Sequence, residues 1–272
     1  MTDLLSLALT LQPPEIPAGE PLPAWWGRAA HALALRILDR HDPALAARIH
    51  DDPQAARPFT VSSLWGGRIT AGEPLTLRLT ALSDPMAAAL QRAIAGPLAP
   101  GSSVELDGRL FTVQAAATDP REHPWAGAAS WEELASPWLA ARIPNPPRHI
   151  ALSFASPTTF KTGGRHLPLP LPDLVFGSLL ARWNAFAPIA LPAEVRRYAA
   201  ECLVITRHRL HTRRVPLKPG QNRIGMIGEV TFRTLNYDRY WMSTLHLLAD
   251  FAFYGGLGAG TTMGLGQCRR ST

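Results

Sequence analysis

The fold turns on residues 238–269, DRYWMSTLHLLADFAFYGGLGAGTTMGLGQCR. From Asp238 to Tyr254 the apolar spacing predicts an amphipathic helix. A glycine-rich turn, Gly255 to Gly266, follows it, and Leu265 to Arg269 predicts a short closing strand. Glycine accepts positive φ and lets a backbone approach a ligand closely. Successive exposed N–H groups in such a turn make a donor nest for phosphate oxygens. Gly256, Gly258, Gly260, Gly264 and Gly266, with the hydroxyls of Thr261 and Thr262, are therefore the expected anion contacts. Two nucleotide-loop readings are excluded. A P-loop needs Gly-Lys-Ser/Thr, which is absent, and a dinucleotide fingerprint follows a strand and opens a helix, the reverse of the order here.

Upstream of that helix, Cys202 to Val215 and Arg223 to Leu235 predict a long hairpin across Pro219-Gly220. Helices are predicted over Asp173 to Phe186 and Ala193 to Ala200, and a strand over His149 to Phe154. A small hairpin over Thr158 to Leu169 turns at Gly163-Gly164. The first half repeats this beat. A strand at Leu4 to Leu11 precedes helices from Trp25 to Arg40 and, with Asp42 as cap and Pro43 behind it, to about His50. Strands follow at Phe59 to Leu64 and Leu75 to Ala81, then a helix from Asp84-Pro85 to about Gly96, then a hairpin about Asp107-Gly108. The class is α+β, with two ferredoxin-like (RRM-like, βαββαβ) domains in tandem over 1–145 and 146–272. The proline-rich stretch Pro120 to Arg148 reads as the linker region.

Two domains suit 272 residues, of which 46% are hydrophobic and 18% charged. A net charge of +6 and a pI near 10.0 favour a polyanionic partner. Only Lys161 and Lys218 among the 27 basic residues are lysine; arginine's planar fork matches phosphate and stacks on bases. Cys202 and Cys268 stand in no ligand spacing, which argues against a disulfide framework or zinc site. No secretory h-region or apolar run of membrane-spanning length is present, so a soluble, cytoplasmic protein without a membrane partner is expected.

The pattern Gly256-Leu257-Gly258, five residues, then Gly264-Leu265-Gly266 has the form G-h-G-x5-G-h-G, with h hydrophobic. It resembles the C-terminal signature of the RAMP superfamily, specifically the CRISPR-associated endoribonucleases that process precursor crRNA. Phe154-Ala155-Ser156-Pro157-Thr158-Thr159-Phe160 is similar to the family's F-x-S-P-T-x-F strand. His123-Pro124-Trp125-Ala126-Gly127 and Arg57-Pro58-Phe59-Thr60 also resemble segments of these enzymes. The resemblance implies cleavage of CRISPR repeat RNA by 2′-hydroxyl attack, without metal or other cofactor. It implies 5′-hydroxyl and 2′,3′-cyclic phosphate (or 3′-phosphate) ends. Precursor and mature crRNA are the implied partners, and the family admits interference-complex subunits and a second copy of the chain.

The chemistry needs a general base at the 2′-hydroxyl, a general acid at the leaving 5′-oxygen and a cation on the phosphorane. Among nine histidines, His31, His41 and His50 border the first helices, and the residues alone do not separate them. The family's catalytic histidine closes the short second helix, which by resemblance selects His50; His31 is second. Arg57 stands where some members carry lysine; it can neutralise phosphorane charge but cannot act as a base. The partner tyrosine of some members is absent, Leu35 standing at its place. Arg207, Arg209, His211 and Arg213 share one strand face as a phosphate track. Arg28, Arg36, Lys161, Arg165 and Arg269 are further RNA-contact candidates. The competing reading is a non-catalytic crRNA-binding RAMP subunit, which keeps the basic face and does not need His50.

Overall fold

The computed structural model describes residues 2–15, 23–52, 56–63, 73–140, 142–218 and 220–271, without the side chains of His50 and Lys218. Leu64 and Pro219, expected in a strand and a turn, lie outside the described residues. The chain divides into two compact units, Met1–Ala129 with Thr262–Gly264, and Ser130–Thr261 with Leu265–Thr272.

The first unit comprises β1 (Leu4–Gln12), α1 (Gly27–His41), α2 (Pro43–Asp51), β2 (Phe59–Val61), β3 (Leu75–Ala81), α3 (Asp84–Ile94), β4 (Ser103–Leu106), β5 (Arg109–Ala117) and β6 (Gly127–Ala129). Its antiparallel sheet runs β2-β3-β1-β5-β4, with β6 also on β1. With β5 as fourth strand this is the ferredoxin-like order. Alternation along β1 sends Leu5, Leu7, Leu9 and Leu11 into one core with Leu33 and Ile37 of α1 and Met86 and Leu90 of α3. The other face of β1 is also covered. There Arg78, fully buried, donates from Nε to Ser6 Oγ (2.8 Å) and to the Trp125 carbonyl (3.2 Å), with its guanidinium 5.0 Å from the Trp125 ring. Asp107 (φ 52°) and Gly108 (φ 75°) make the tight turn their sequence predicts. Asp42 caps α2, accepting from Leu45 N at 2.9 Å, with Pro43 as first helical residue.

The second unit comprises α4 (Trp131–Leu139), β7 (His149–Thr158), β8 (Phe160–Thr162), β9 (Arg165–Leu167), α5 (Pro172–Phe186), α6 (Glu194–Cys202), β10 (Leu203–Lys218), β11 (Gln221–Thr234), α7 (Arg239–Gly255) and β12 (Cys268–Arg270). Its antiparallel sheet runs β10-β11-β7-β12, the ferredoxin-like order again. Phe176 of α5 packs edge-on against Phe232 of β11, ring centroids 5.6 Å apart.

Two expectations change. The stretch 120–148 is not a plain linker, because it holds β6 and α4. Helix α4 starts with a Ser130/Glu133 capping box and packs against α7. Trp138 Nε1 donates to Asp250 Oδ2 at 2.6 Å, and Trp131 lies against Trp183 and Phe251. The units consequently divide at 129/130, ahead of the expected 145/146. Nor is α7 amphipathic. Every residue from Met242 to Ala249 is buried, because α4, α5, α6 and the sheet enclose the helix. Among the described residues no helix is long and apolar enough to cross a membrane.

Candidate active site and nucleic-acid interface

The start of α1 is built around Thr262–Gly264, which belong to the first unit. Trp25 Nε1 donates to the Met263 carbonyl at 2.7 Å, Trp26 N donates to Ser63 Oγ at 2.9 Å, and Ser62 bridges to Gly264. Gly27 is required there, since a Cβ would stand 1.8 Å from the Met263 carbonyl oxygen. One turn further on, His31 Nδ1 lies 2.9 Å from the Thr262 carbonyl oxygen. That partner only accepts, so Nδ1 carries the proton and Nε2 keeps the lone pair. The imidazole is half-buried, 5.5 Å from the Phe59 ring. Burial holds its pKa below the usual histidine value. The Thr262 hydrogen bond opposes that shift and the nearby Arg57 charge reinforces it. The structure therefore joins His31, Arg57 and Thr262 in one place. His50 occupies the last turn of α2 by its backbone, and its side chain lies outside what is described. Asp51 and Asp52 are exposed.

The glycine-rich turn is not the open amide nest its composition predicts. The N–H groups of Leu257, Gly258, Ala259 and Gly266 donate to the Gly266 carbonyl, Ser178 Oγ, the Thr159 carbonyl and the Pro157 carbonyl. Leu265 N donates to the Gly260 carbonyl. Gly256, Gly264 and Gly266 are buried, Gly258 is partly so, and Thr261 is buried with its hydroxyl accepting from Arg182 at 2.7 Å. The glycines serve close backbone packing. At Gly258 (φ 75°) a Cβ would stand 2.4 Å from the Thr159 oxygen, and at Gly266 (φ 71°) 2.0 Å from the Leu257 oxygen. What remains outward is Gly260, with Thr262 half-exposed. Beside the turn, Phe160, Lys161, Asp173, Ser178, Arg196 and Gly258 line a hollow of about 270 Å³.

Arg207, Arg209, His211 and Arg213 share one sheet face, as their alternation predicts. A bulge between Ile205 and Arg207 shifts the register, so Ile205 pairs with Phe232 on the core side while Arg207 pairs with Thr231 on the open side. Arg207, Arg209, His211 and Arg213 are exposed there, and Arg269 joins that face opposite Ser153. Three neighbours were missed by reading one strand at a time. Arg223 and Arg233 share the face by register, and Glu229 sits opposite Arg209. Lys161 and Arg165 are exposed on the β8–β9 hairpin. Arg28 is exposed on α1, whereas Arg36 is tied by Nη2 to the Glu105 carbonyl of β4 at 2.8 Å.

The family model described as CRISPR-associated endoribonuclease Cas6 matches residues 152–268. Among solved structures, the Cas6 (TTHB231) product complex is 30% identical over 100% of this chain and 100% of its own, with a TM-score of 0.81. The Cas6 (TTHA0078) product complex is 29% identical over 100% of both chains, with a TM-score of 0.79. Thermus thermophilus Cas6 (TTHB231) is 29% identical over 100% of this chain and 99% of its own, with a TM-score of 0.74. No curated protein matches the chain. With end-to-end similarity at this identity added to a tandem ferredoxin-like fold and the glycine signature, the chain belongs to the Cas6 family of CRISPR-associated endoribonucleases.

Proposed function

We propose that the protein binds CRISPR repeat RNA and cuts it once per repeat to release mature crRNA. The 2′-hydroxyl upstream of the scissile phosphate attacks in line and the 5′-oxygen leaves, with no metal in the step. The ends are a 2′,3′-cyclic phosphate (or 3′-phosphate) and a 5′-hydroxyl. His50, selected by resemblance to the family's histidine at the end of the short second helix, is the lead acid–base group. His31 is the second, fitted to act as base through the free Nε2 of a neutral ring. Arg57 neutralises charge on the phosphorane. The arginine face of the second unit holds the RNA backbone through phosphate contacts.

The observation that carries this reading is the oriented imidazole of His31 in the field of Arg57, within a chain of the Cas6 family. Incubating end-labelled repeat RNA with the protein in EDTA tests it. Cleavage is expected with wild type, falling by roughly 10²–10⁴-fold in His50→Ala, the range for losing one acid–base group. Cleavage that requires added metal, or binding without cleavage, overturns the reading; the latter identifies a crRNA-binding subunit.

A further inference from the structure

Arg182 of α5 has no place in the scheme above. Its stem passes Gly255 of α7, where a Cβ would stand 3.3 Å from Arg182 Cδ, and its Nη2 ends on Thr261 Oγ1 at 2.7 Å. Arg196 and Arg270 of the same unit have carboxylate partners in Asp173 and Asp250. Among the described residues none pairs with Arg182. Burial alone lowers its pKa, to about 10, with no neighbouring charge contributing. The residue nonetheless keeps part of its surface accessible. A guanidinium offers five N–H donors and one hydroxyl takes one of them. A closely packed cation without a counter-charge weakens a fold, so stability does not account for this one. In the turn beside it the amides of Leu257, Gly258, Ala259, Leu265 and Gly266 are committed inside the protein, and Gly260 next to Thr261 is exposed.

We propose that Arg182, braced by Thr261, is an anion-binding residue that takes one phosphate oxyanion beside the glycine turn. That the oxyanion belongs to an RNA phosphodiester rests on the endoribonuclease reading; the cation site itself does not. The guanidinium supplies a positive contact that the committed amides of Gly256, Gly258 and Gly266 cannot.

The test compares Arg182→Met and Arg182→Lys with the parent, all in a His50→Ala background in which cleavage is expected to be slow enough for binding to be read. In Arg182→Met the melting temperature is expected to hold or rise, since an unpaired charge is removed. Repeat-RNA binding is expected to weaken roughly ten- to a hundredfold, the range for one charged hydrogen bond. The slope of log affinity against log salt should become shallower by about 0.7–0.9, one phosphate contact, and Arg182→Lys should restore that slope. Inorganic phosphate should raise the melting temperature of the parent above a chloride control of equal ionic strength, and leave Arg182→Met unmoved. A lower melting temperature with unchanged RNA affinity and slope would make Arg182 a strut for Thr261 and overturn the proposal. So would equal stabilisation of both proteins by phosphate. Arg182-dependent RNA binding together with no cutting by the His50-intact protein leaves this site standing and removes the cleavage reading instead.

Discussion

Gly27 and His31 stand one helical turn apart on α1, and both are defined by what they meet. Gly27 has an ordinary helical place, yet the Met263 carbonyl leaves no room for a methyl group. Gly27→Ala must move backbone, so urea titration should report a loss of about 1–3 kcal/mol, the usual cost of overpacking. His31 has its proton fixed on Nδ1 by Thr262, and burial keeps the ring neutral. A general base works deprotonated. Because the His31 pKa lies below 6.5, the acid limb of kcat/KM should have its midpoint below that value, with activity falling about tenfold per pH unit beneath it. His31→Gln should remove this limb. A limb that persists unchanged in that variant assigns the base to another group.

Helix α4 is held to α7 by a buried polar set that the proline count concealed. His246 stacks on Trp138 at 4.7 Å and lies with Nε2 2.8 Å from the Pro147 carbonyl, while its buried Nδ1 has no partner among the described residues. Asp250 accepts from Trp138 Nε1 and pairs with Arg270 Nη1 at 3.1 Å. Burial, with smaller help from Arg270 and His149, pushes His246 down to about 4 against the opposing Pro147 bond. The unfolded imidazole titrates near 6.5, so between that pH and 4 the unfolded chain binds more protons. Stability from His246 is therefore complete above 6.5 and drains as pH falls toward 4, by at most about 3 kcal/mol. Burial raises Asp250, which gives the opposite slope nearer pH 4. Chemical denaturation at pH 7.5 and 5 should show this loss in the wild type and a flatter response in His246→Gln. Trp138→Phe deletes one bond to Asp250 and should cost about 1–3 kcal/mol at either pH.

At the scale of the molecule, the +6 charge is concentrated to an effect. The bulge at Thr206 turns Arg207, Arg209 and Arg213 to the open sheet face together with Arg223, Arg233 and Arg269. The triple change Arg207→Ala/Arg209→Ala/Arg213→Ala touches no core packing, since all three are exposed. Its melting temperature should match the parent, while the salt slope of repeat-RNA binding becomes shallower by about 2–3 units. An unchanged slope would place the RNA on another surface.

Most elements were legible because their signals are local. The Asp42-Pro43 cap, the Asp107-Gly108 turn and the alternation of β1 each depend on neighbours in the chain. Element order then leaves few topologies open, and both sheets adopt the ferredoxin-like one. The sequence by itself thus determined the two βαββαβ units, the basic strand and the glycine signature. Only the tertiary structure decided where the hydrogen bonds of that glycine turn go. It turned a supposed phosphate nest into a packed joint, placed Thr262 against His31, and left Arg182 beside Thr261. The physical reason is that a backbone amide looks the same in any sequence, and whether it faces solvent or a carbonyl depends on partners distant in the chain.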